Sequence, residues 1–342
     1  MNSTHEPLVK QFRPRKFIQL VGQSINSQVL KQGIITQQFS NCYLFSGAKG
    51  SGKTSSSRVF AKALNCLDLG EDGEPCQTCK NCLDFEAETF IDHIKINASN
   101  QTGIDHAREL IENIPLAAIQ GAFKIYVIDE CHRLSRQAQD SLLTTLENLP
   151  SHVVMIFVTT EPEQIQPTIT SRCVHLHYRR VPKFTAVEYL LAIAQLVHIS
   201  LNQEGAELIY DHCKGHLRDC LQELEKLRFG LTVEQICHQP GIEHVQPILQ
   251  ALNGRNSLDA INHLEAALNE GMTHDEIIDH LIKLLSQVVL RSKERNSNTN
   301  NTIQELLRLK QDITLTTAKS ELMLVCFISL TTHPKLVTEY IQ

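Results

Sequence analysis

A glycine-rich segment at residues 47–54 carries the clearest chemical signal in the sequence. It follows a short apolar run, precedes a helical pattern and matches G-x-x-x-x-G-K-[ST] at every fixed position. The glycines let the backbone curl so that its N–H groups face a polyphosphate, Lys53 can reach the terminal phosphates, and the Thr54 hydroxyl can bind Mg²⁺. A chance glycine-rich loop would lack this strand-and-helix context. The pattern therefore predicts a nucleotide-phosphate site formed by Gly47, Ala48, Lys49, Gly50, Ser51, Gly52, Lys53 and Thr54.

A pair of acidic residues, Asp129 and Glu130, follows another apolar run. An Asp at the carboxyl end of such a strand can complete a Mg²⁺ site, and the adjacent Glu can orient or deprotonate an attacking water. An acidic cap on the next helix is the simpler alternative, but the phosphate-binding pattern upstream favours hydrolysis of ATP. The letters DECH also occur in a helicase motif. That class needs a second strand-rich domain, whereas residues 181–342 have helical patterns.

Two further polar residues stand where they could act on a nucleotide. Thr160 follows the apolar run at 153–158, where a hydroxyl could hold the attacking water or sense the terminal phosphate. Arg172 lies beside a turn, and arginine suits the stabilisation of charge on a transferring phosphoryl group. Threonine is common at strand ends, however, and an isolated arginine is more often a surface residue. The two residues are therefore weaker candidates than the phosphate loop.

Four of the 11 cysteines are clustered with the spacing C-x9-C-x2-C-x2-C. Four thiolates with no open position are typical of structural zinc. An iron–sulfur cluster is the main alternative, but the usual additional C-x3-C-P is absent, and disulfides are disfavoured in a reducing compartment. We therefore predict Zn²⁺ at Cys66, Cys76, Cys79 and Cys82. The scattered cysteines are assigned to core packing: Cys42, Cys131, Cys173, Cys213, Cys220, Cys237 and Cys326.

These candidate residues can act together only if the fold brings the ends of several strands together. The sequence pattern of residues 41–178 predicts such a fold. Short runs rich in Val, Ile, Phe and Tyr alternate with amphipathic stretches such as 104–114 and 137–146. This alternation predicts an α/β domain, with a parallel sheet covered by helices on both faces. The predicted strands are residues 42–45, 90–96, 124–128, 153–158 and 174–178.

After about residue 181 the strand-like runs stop and helical patterns follow. A break at 230–241, which contains Pro240, is expected to divide a small helical domain from a helical C-terminal domain. The Asn-rich segment 295–302 is predicted to be a solvated loop. The predicted helices are residues 186–197, 204–213, 217–227, 260–268 and 275–290.

Composition and charge exclude several classes of protein. The 342 residues are 42% hydrophobic and 20% charged, and 38 acidic against 32 basic side chains give a formal net charge of −6. A protein that binds nucleic acid through its overall charge would be basic, so any DNA contact must be local. No apolar run approaches the roughly 18 residues of a membrane-spanning helix, and the first residues show no secretory signal. A cytoplasmic location without membrane contact is therefore expected.

Taken together, these motifs resemble those of the gamma/tau subunits of bacterial DNA polymerase III, the ATP-hydrolysing motors of the sliding-clamp loader. Their order and spacing agree over about residues 10–230. Besides the cysteine cluster, the matching stretches are FRPRKF at 12–17, VGQ at 21–23, SGAKGSGKTS at 46–55, IDECHRLS at 128–135, VTTEP at 158–162, SRC at 171–173 and GHLRD at 215–219.

The resemblance implies an AAA+ ATPase fold in three parts. The first is an ATPase domain at residues 1–180 with a zinc-binding insertion at 66–82. A small helical lid follows at 181–240, and an all-α collar, through which subunits assemble, occupies 241–342. ATP, Mg²⁺ and Zn²⁺ are the implied cofactors, with Thr54 and Asp129 as the Mg²⁺ ligands.

The resemblance also assigns residues to the nucleotide within one subunit. Val21 and Gly22 would line the adenine pocket, and the phosphate-loop contacts would extend to Ser55. Thr160 would be sensor 1, and Arg218, at the start of a lid helix, would be sensor 2 and touch the terminal phosphate. Together with Lys53, Asp129, Glu130 and Arg172, the two sensors make up the expected catalytic set.

Arg172 would act between subunits, as an arginine finger that reaches the ATP of a neighbour. The implied partners are further copies of the chain, the delta and delta-prime subunits, the sliding clamp and primer-template DNA. The predicted function is ATP-driven loading of the clamp within the DNA-directed DNA polymerase holoenzyme, with no polymerase site in this chain. The alternatives are another AAA+ DNA-remodelling ATPase and a nucleotide-binding structural subunit of the clamp loader.

The sequence departs from the family pattern in two places. Residues 145–150 read TLENLP where relatives usually have TLEEPP, and Gln101 and Gly103 stand where relatives tend to have basic residues. Those basic residues would be expected to meet the DNA backbone. The ATPase residues are all present, which distinguishes the chain from delta-prime subunits, because these typically lack a working phosphate loop.

Overall fold

The five apolar runs form one five-stranded parallel sheet. The computed structural model describes residues 6–99, 110–237, 242–292, 297–315 and 319–332. The sheet places the carboxyl ends of all five strands at one edge, where nucleotide sites of such sheets lie. The strands are β1 Cys42–Gly47, β2 His93–Asn97, β3 Lys124–Asp129, β4 Val153–Thr159 and β5 Val174–Tyr178. Their order across the sheet is β2-β3-β4-β1-β5.

The three central strands are buried on both faces, which explains why their sequences are continuously apolar. Every residue of β1 and β4 is buried, and successive side chains enter opposite layers. Tyr43 and Phe45 belong to one hydrophobic core and Cys42 and Leu44 to the other. The sheet is therefore the middle of a three-layer domain.

The chain forms two compact units, Met1–Ile236 and Cys237–Gln342. Most of the predicted helix at 104–114 lies outside the described residues, and its described part is helical at residues 110–113.

Several helices have an N-cap residue whose side chain accepts a hydrogen bond from a backbone N–H group of the first turn. The Ser135 hydroxyl, for example, accepts from the N–H of Ala138. The helices that begin in the first unit are α1 Leu8–Gln11, α2 Ser24–Ile35, α3 Lys53–Leu64, α4 Lys80–Glu86, α5 Arg136–Glu147, α6 Pro167–Thr170, α7 Lys183–Leu196, α8 Gln203–His212, α9 Leu217–Arg228 and α10 Val233–Cys237.

The second unit packs its helices around a separate hydrophobic core that extends from Val245 to Leu330. A short 3-10 turn, Ile242–His244, precedes the first of them. In the described part of the chain, no helix is both long enough and apolar enough to cross a membrane. The helices of this unit are α11 Val245–Asn253, α12 Ser257–Asn269, α13 His274–Ser292, α14 Ser297–Leu315 and α15 Lys319–Thr332.

The predicted Asn-rich loop at 295–302 is wrong, because residues 297–302 form the start of α14. Asn and Ser are favoured at helix starts, and the residues that follow hold the segment in place. Leu306 and Ile313 are fully buried and Thr302 is 4% exposed. Tertiary packing thus decides the conformation of a segment whose own composition favours a turn.

The predicted strand at 90–96 begins three residues later than expected, at His93. Phe90 is instead buried beside Phe85, with the ring centroids 4.3 Å apart. The buried Asp92 carboxylate accepts N–H groups of Ile119, Gln120 and Gly121, which fixes a turn where the apolar pattern predicts a strand.

Candidate functional site

The loop between β1 and α3 has a backbone shape that favours glycine at three positions. Gly47, Gly50 and Gly52 have φ angles of +139°, +72° and +95°. At Gly47 a Cβ atom would lie 2.0 Å from the carbonyl oxygen of Tyr178, the last residue of β5. The start of the loop is therefore set by the close approach of two strand ends, which leaves no room for a side chain.

Two serines of the predicted phosphate loop have different surroundings. Ser51 is 3% exposed, and its Oγ donates a 2.8 Å hydrogen bond to the carbonyl oxygen of Ala48. Ser55 is half-buried in the first turn of α3. Ser51 therefore stabilises the turn of the loop. Ser55 lies beside the N–H groups at the start of α3, which carry partial positive charge.

Lys53 opens α3, and its side chain folds back over the loop. Nζ donates 2.8 Å hydrogen bonds to the carbonyl oxygens of Gly47 and Ala48, and the residue is only 7% exposed. Burial lowers the pKa of Lys53, and the charges of Glu130 and Asp129 oppose that shift. Lys53 is thus a shielded cation at a helix N-terminus, a place suited to phosphate oxygens.

Thr54 and Asp129, which the sequence assigns to Mg²⁺, are in direct contact. Thr54 Oγ1 donates a hydrogen bond to Asp129 Oδ2 at 3.1 Å, and Asp129 is the last residue of β3. Two oxygen ligands at right angles around Mg²⁺ would be about 2.9 Å apart, since each bond is about 2.0–2.1 Å long. The pair therefore fits two neighbouring positions of a Mg²⁺ octahedron, with water and phosphate oxygens for the others.

Glu130 belongs to a network that joins the ends of β3 and β4. It has a φ of +52°, a strained value for a residue with a side chain. Its Oε2 accepts a 3.4 Å hydrogen bond from Thr160 Oγ1 and lies 3.5 Å from Nδ1 of His132. The same nitrogen is 3.0 Å from Thr159 Oγ1, and His132 Nε2 is 3.5 Å from the Glu161 carboxylate. These contacts fix the direction in which Glu130 points.

His132 is a residue to which the sequence reasoning assigned no role. Its ring is buried between the carboxylates of Glu130 and Glu161. The only signal in the sequence is its position in DECH, two residues after Glu130. A short 3-10 turn, Cys131–Arg133, turns the ring back toward the strand ends, and that turn is not predictable from composition.

Gly22 lies against the chain that follows β5, and the adjacent Val21 is half-buried. Gly22 has a φ of +71°, and a Cβ there would be 3.3 Å from the side chain of Val181. The adjacent Gln23 is buried and donates a 2.7 Å hydrogen bond to the Arg179 carbonyl oxygen. Residues 12–23, which we call the entry segment, are thus attached to the junction between the sheet and the helices after it, within the same unit.

The GHLRD segment lies beside the phosphate loop. A Cβ on Gly50 would be 3.3 Å from the backbone of His216, and Lys49 Nζ is 3.6 Å from Asp219 Oδ2. His216 Nδ1 is 3.3 Å from the same carboxylate oxygen. Arg218 lies between His216 and Asp219 in the first turn of α9 and is exposed. The predicted sensor therefore lies on an element whose neighbouring residues contact the phosphate loop.

The contacts of Arg172 in the described part of the chain are with Glu147 and Thr168, neither of which belongs to the phosphate loop. Its guanidinium forms an ion pair with Glu147 at the end of α5 and donates a 2.7 Å hydrogen bond to the Thr168 carbonyl oxygen. The Arg172 side chain is 35% exposed. It therefore remains accessible from outside the subunit. Gln101 and Gly103, the departures from the expected DNA-contacting pattern, lie outside the described residues.

The four clustered cysteines converge as a tetrahedral metal site requires. The Sγ atom of Cys82 is 3.7 Å from that of Cys66 and 3.9 Å from that of Cys76, and all four sulfurs lie within 4.8 Å of one another. Sulfurs around tetrahedral zinc would be about 3.8 Å apart, because each Zn–S bond is about 2.3 Å. The arrangement therefore fits Zn²⁺ with no position left open.

Hydrogen bonds from backbone N–H groups lower the pKa of Cys76 and so favour its thiolate form, which is the form that binds a cation. Burial raises the pKa of Cys76, but N–H groups including those of Cys79 and Thr78 outweigh it and lower that pKa to about 6. Burial raises the pKa of Cys82 above its ordinary value. A divalent cation would displace the remaining thiol protons, because metal binding to such sites is coupled to deprotonation.

The cysteine insertion also holds the entry segment in place. The Glu74 carboxylate, 6% exposed, accepts backbone N–H groups of Phe17 at 2.7 Å and Ile18 at 3.0 Å. It also pairs with Lys31 of α2 at 3.1 Å. The position of residues 17–22 therefore depends on the insertion being folded, because Glu74 of the insertion holds Phe17 and Ile18.

Three features define an AAA+-type P-loop fold, as predicted: the order of the strands in the sheet, the phosphate loop at the end of β1, and the acidic pair at the end of β3. The family model described as "DNA polymerase III, delta subunit" matches residues 22–182. The chain is 32% identical over 294 residues to DNA polymerase III subunit tau of Bacillus subtilis, covering 84% of this chain and 52% of that protein. It is 34% identical over 263 residues to the tau subunit of Escherichia coli, covering 77% and 40%.

The chain is a homologue of the gamma and tau subunits of DNA polymerase III, so the predicted resemblance is confirmed. It spans about half the length of the curated relatives it matches. Among solved structures, the Thermotoga maritima RuvB Holliday junction branch migration motor is similar at a TM-score of 0.47 and 15% identity, covering 70% of this chain and 79% of that one.

Proposed function

We propose that this chain is an ATP-hydrolysing subunit of a bacterial clamp loader, which places a sliding clamp on primed DNA within the DNA polymerase III holoenzyme. The observation that carries the proposal is the set of contacts at the strand ends. Lys53 covers the loop, Thr54 meets Asp129, and Glu130 meets Thr160 in a homologue of gamma and tau subunits. The chain supplies the ATPase, and polymerisation belongs to other subunits.

The site residues divide the chemistry of hydrolysis among themselves. The loop N–H groups and Lys53 bind the phosphates of ATP and neutralise their charge. Thr54 and Asp129 would hold Mg²⁺, which when bound neutralises charge between the two terminal phosphates. Glu130 orients a water for attack and accepts its proton, and Thr160 holds that carboxylate in place. The group transferred is the terminal phosphoryl group, and ADP and phosphate leave.

Helix α9 would report the nucleotide state to the rest of the assembly. Its first turn carries Arg218, and Asp219 already contacts Lys49 of the loop. ATP between the loop and this turn would replace that ion pair by a contact between Arg218 and the terminal phosphate. Subunits would assemble with further copies, with delta and delta-prime subunits, and around primer-template DNA beside the clamp.

Lys53→Ala tests the proposed function directly. In a clamp loader reconstituted from this chain, delta and delta-prime, we expect DNA-stimulated ATP hydrolysis and clamp loading to fall by at least about 10-fold, because a charge-assisted phosphate contact is lost. Lys10→Ala, which removes an exposed lysine of α1, should leave both rates unchanged. Clamp loading that survives Lys53→Ala would favour a structural, non-hydrolysing subunit. DNA translocation without affinity for the clamp would favour a different AAA+ remodeller.

Arg172→Ala tests catalysis between subunits. We expect this change to lower the hydrolysis rate of the assembly by about 10- to 100-fold, the scale of one lost interaction with a charged group, and to leave ATP binding by the isolated chain intact. Mixed assemblies should show that the defect lies at the site of the neighbouring subunit. Glu147→Gln, which removes the charge of the partner of Arg172, should not reproduce the defect. If isolated Arg172→Ala chains lose ATP binding, Arg172 acts within its own subunit instead.

A further inference from the structure

A group of histidine and carboxylate side chains in the second unit has no part in the proposed ATPase. Glu243 and His244 lie on the 3-10 turn Ile242–His244, His263 lies on α12, and Glu270 follows the end of α12. One ligand atom from each of Glu243, His244 and Glu270 lies within 4.8 Å of the others. Three potential ligands from two segments of the chain therefore converge at one place.

The hydrogen bonds of His244 match those of a metal-bound imidazole. Its Nε2 is 3.2 Å from Glu270 Oε1, and its Nδ1 is 3.2 Å from Nδ1 of His263. Metal-binding histidines almost always donate their other ring N–H to an acceptor, which fixes the ring orientation. If Nε2 of His244 binds a cation, its Nδ1 carries the proton, and His263 Nδ1 is the acceptor for it.

We propose that Glu243, His244 and Glu270 bind a divalent transition-metal ion of the zinc class, with His263 as the residue that orients His244. One imidazole and two carboxylates suit Zn²⁺ and its neighbours in the series, whereas Mg²⁺ prefers oxygen ligands alone. Nitrogen and oxygen ligands around tetrahedral zinc would be about 3.3 Å apart, and the His244–Glu270 distance is 3.2 Å. Three protein ligands leave one position for water.

The simpler alternative is a hydrogen-bonded chain without metal, in which His263 donates to His244 and His244 donates to Glu270. Both arrangements satisfy the two rings. That chain of hydrogen bonds gives no role to the position of the Glu243 carboxylate, which has an oxygen within 4.8 Å of the ligand atoms of both His244 and Glu270. Bound metal would join the 3-10 turn Ile242–His244 to the end of α12 and would be held by all three side chains.

Metal analysis of the full chain tests the site. After equilibration with buffered Zn²⁺ and removal of free ion, we expect the wild type to retain one more equivalent of zinc than His244→Gln. His274→Gln changes a histidine of the same unit that bonds to Ser320 and should retain as much zinc as the wild type. Equal zinc in the wild type and in His244→Gln would overturn the proposal.

Two further variants separate ligation from folding. Glu270→Gln keeps a hydrogen-bond acceptor for His244 but loses the carboxylate, so it should also lose one equivalent of zinc while its circular dichroism is unchanged. His263→Gln keeps all three ligands and should bind the second zinc about 10- to 100-fold more weakly, the usual effect of removing an orienting partner. An unaltered affinity in His263→Gln would contradict its orienting role.

Discussion

Glu130→Gln is expected to lower the rate constant of DNA-stimulated ATP hydrolysis by about 10²- to 10⁴-fold, the usual contribution of a positioned general base. The amide has nearly the shape of the carboxylate and can still accept from Thr160, but it cannot take a proton from water. ATP affinity should stay within about threefold, because the loop, Lys53 and the Thr54–Asp129 pair are unchanged. Single-turnover hydrolysis and equilibrium binding of a fluorescent ATP analogue measure the two quantities.

The matched control is Glu163→Gln, the same chemical change at an exposed residue of the 3-10 turn Pro162–Gln164. It should hydrolyse ATP at the wild-type rate. His132→Gln removes the ring that contacts Glu130 and Thr159. It should lower the maximal rate with little change in KM, because the change alters the direction of Glu130 and leaves the phosphate loop intact. Wild-type turnover by Glu130→Gln would remove Glu130 from the mechanism, whatever the outcome for His132.

If Cys66, Cys76, Cys79 and Cys82 bind zinc as predicted, its loss is expected to have the largest effect on stability. Structural zinc in small domains contributes on the order of 10 kcal/mol of binding free energy at pH 7. Cys82→Ser, at a fully buried position, should therefore lower the unfolding temperature and release one equivalent of zinc. It should also speed hydrogen exchange at the amides of Phe17 and Ile18, because Glu74 of the insertion accepts both of them.

The same substitution should weaken ATP binding, although no cysteine is expected to touch the nucleotide. The entry segment leads from Phe17 to Gly22, so its loosening would reach the expected adenine pocket. Cys326→Ser, which changes a partly buried cysteine of the second unit, should retain the exchange rates at Phe17 and Ile18. A Cys82→Ser protein with wild-type zinc content and stability would show that the four sulfurs hold no structural metal.

The parts of the fold that the sequence predicts are those governed by local patterns. Strands buried on both faces must be continuously apolar, so β1, β3 and β4 are recognisable from composition alone. The contact between Thr54 and Asp129 is likewise predictable, because carboxyl ends of parallel strands lie at one edge of a sheet.

The features that sequence reasoning missed depend on contacts between distant residues. Residues 297–302 look like a loop because Asn and Thr predominate, but the buried Leu306 and Ile313 that follow keep them in a helix. The burial of His132 between two carboxylates and the pairing of Arg172 with Glu147 also have no local signal. Neither follows from spacing, because each requires the positions of elements far apart in the chain.

The position of β1 in the sheet has a consequence for the order of events during synthesis. Its two neighbours are β4 and β5, which follow it by roughly 110–130 residues. Gly47 reaches its place only against Tyr178. We therefore expect the glycine-rich loop of a nascent chain to reach its folded shape only after the segment through Tyr178 has left the ribosome. Until then the side of β1 that pairs with β5 has no partner strand, and this unpaired edge makes the nascent chain prone to aggregation.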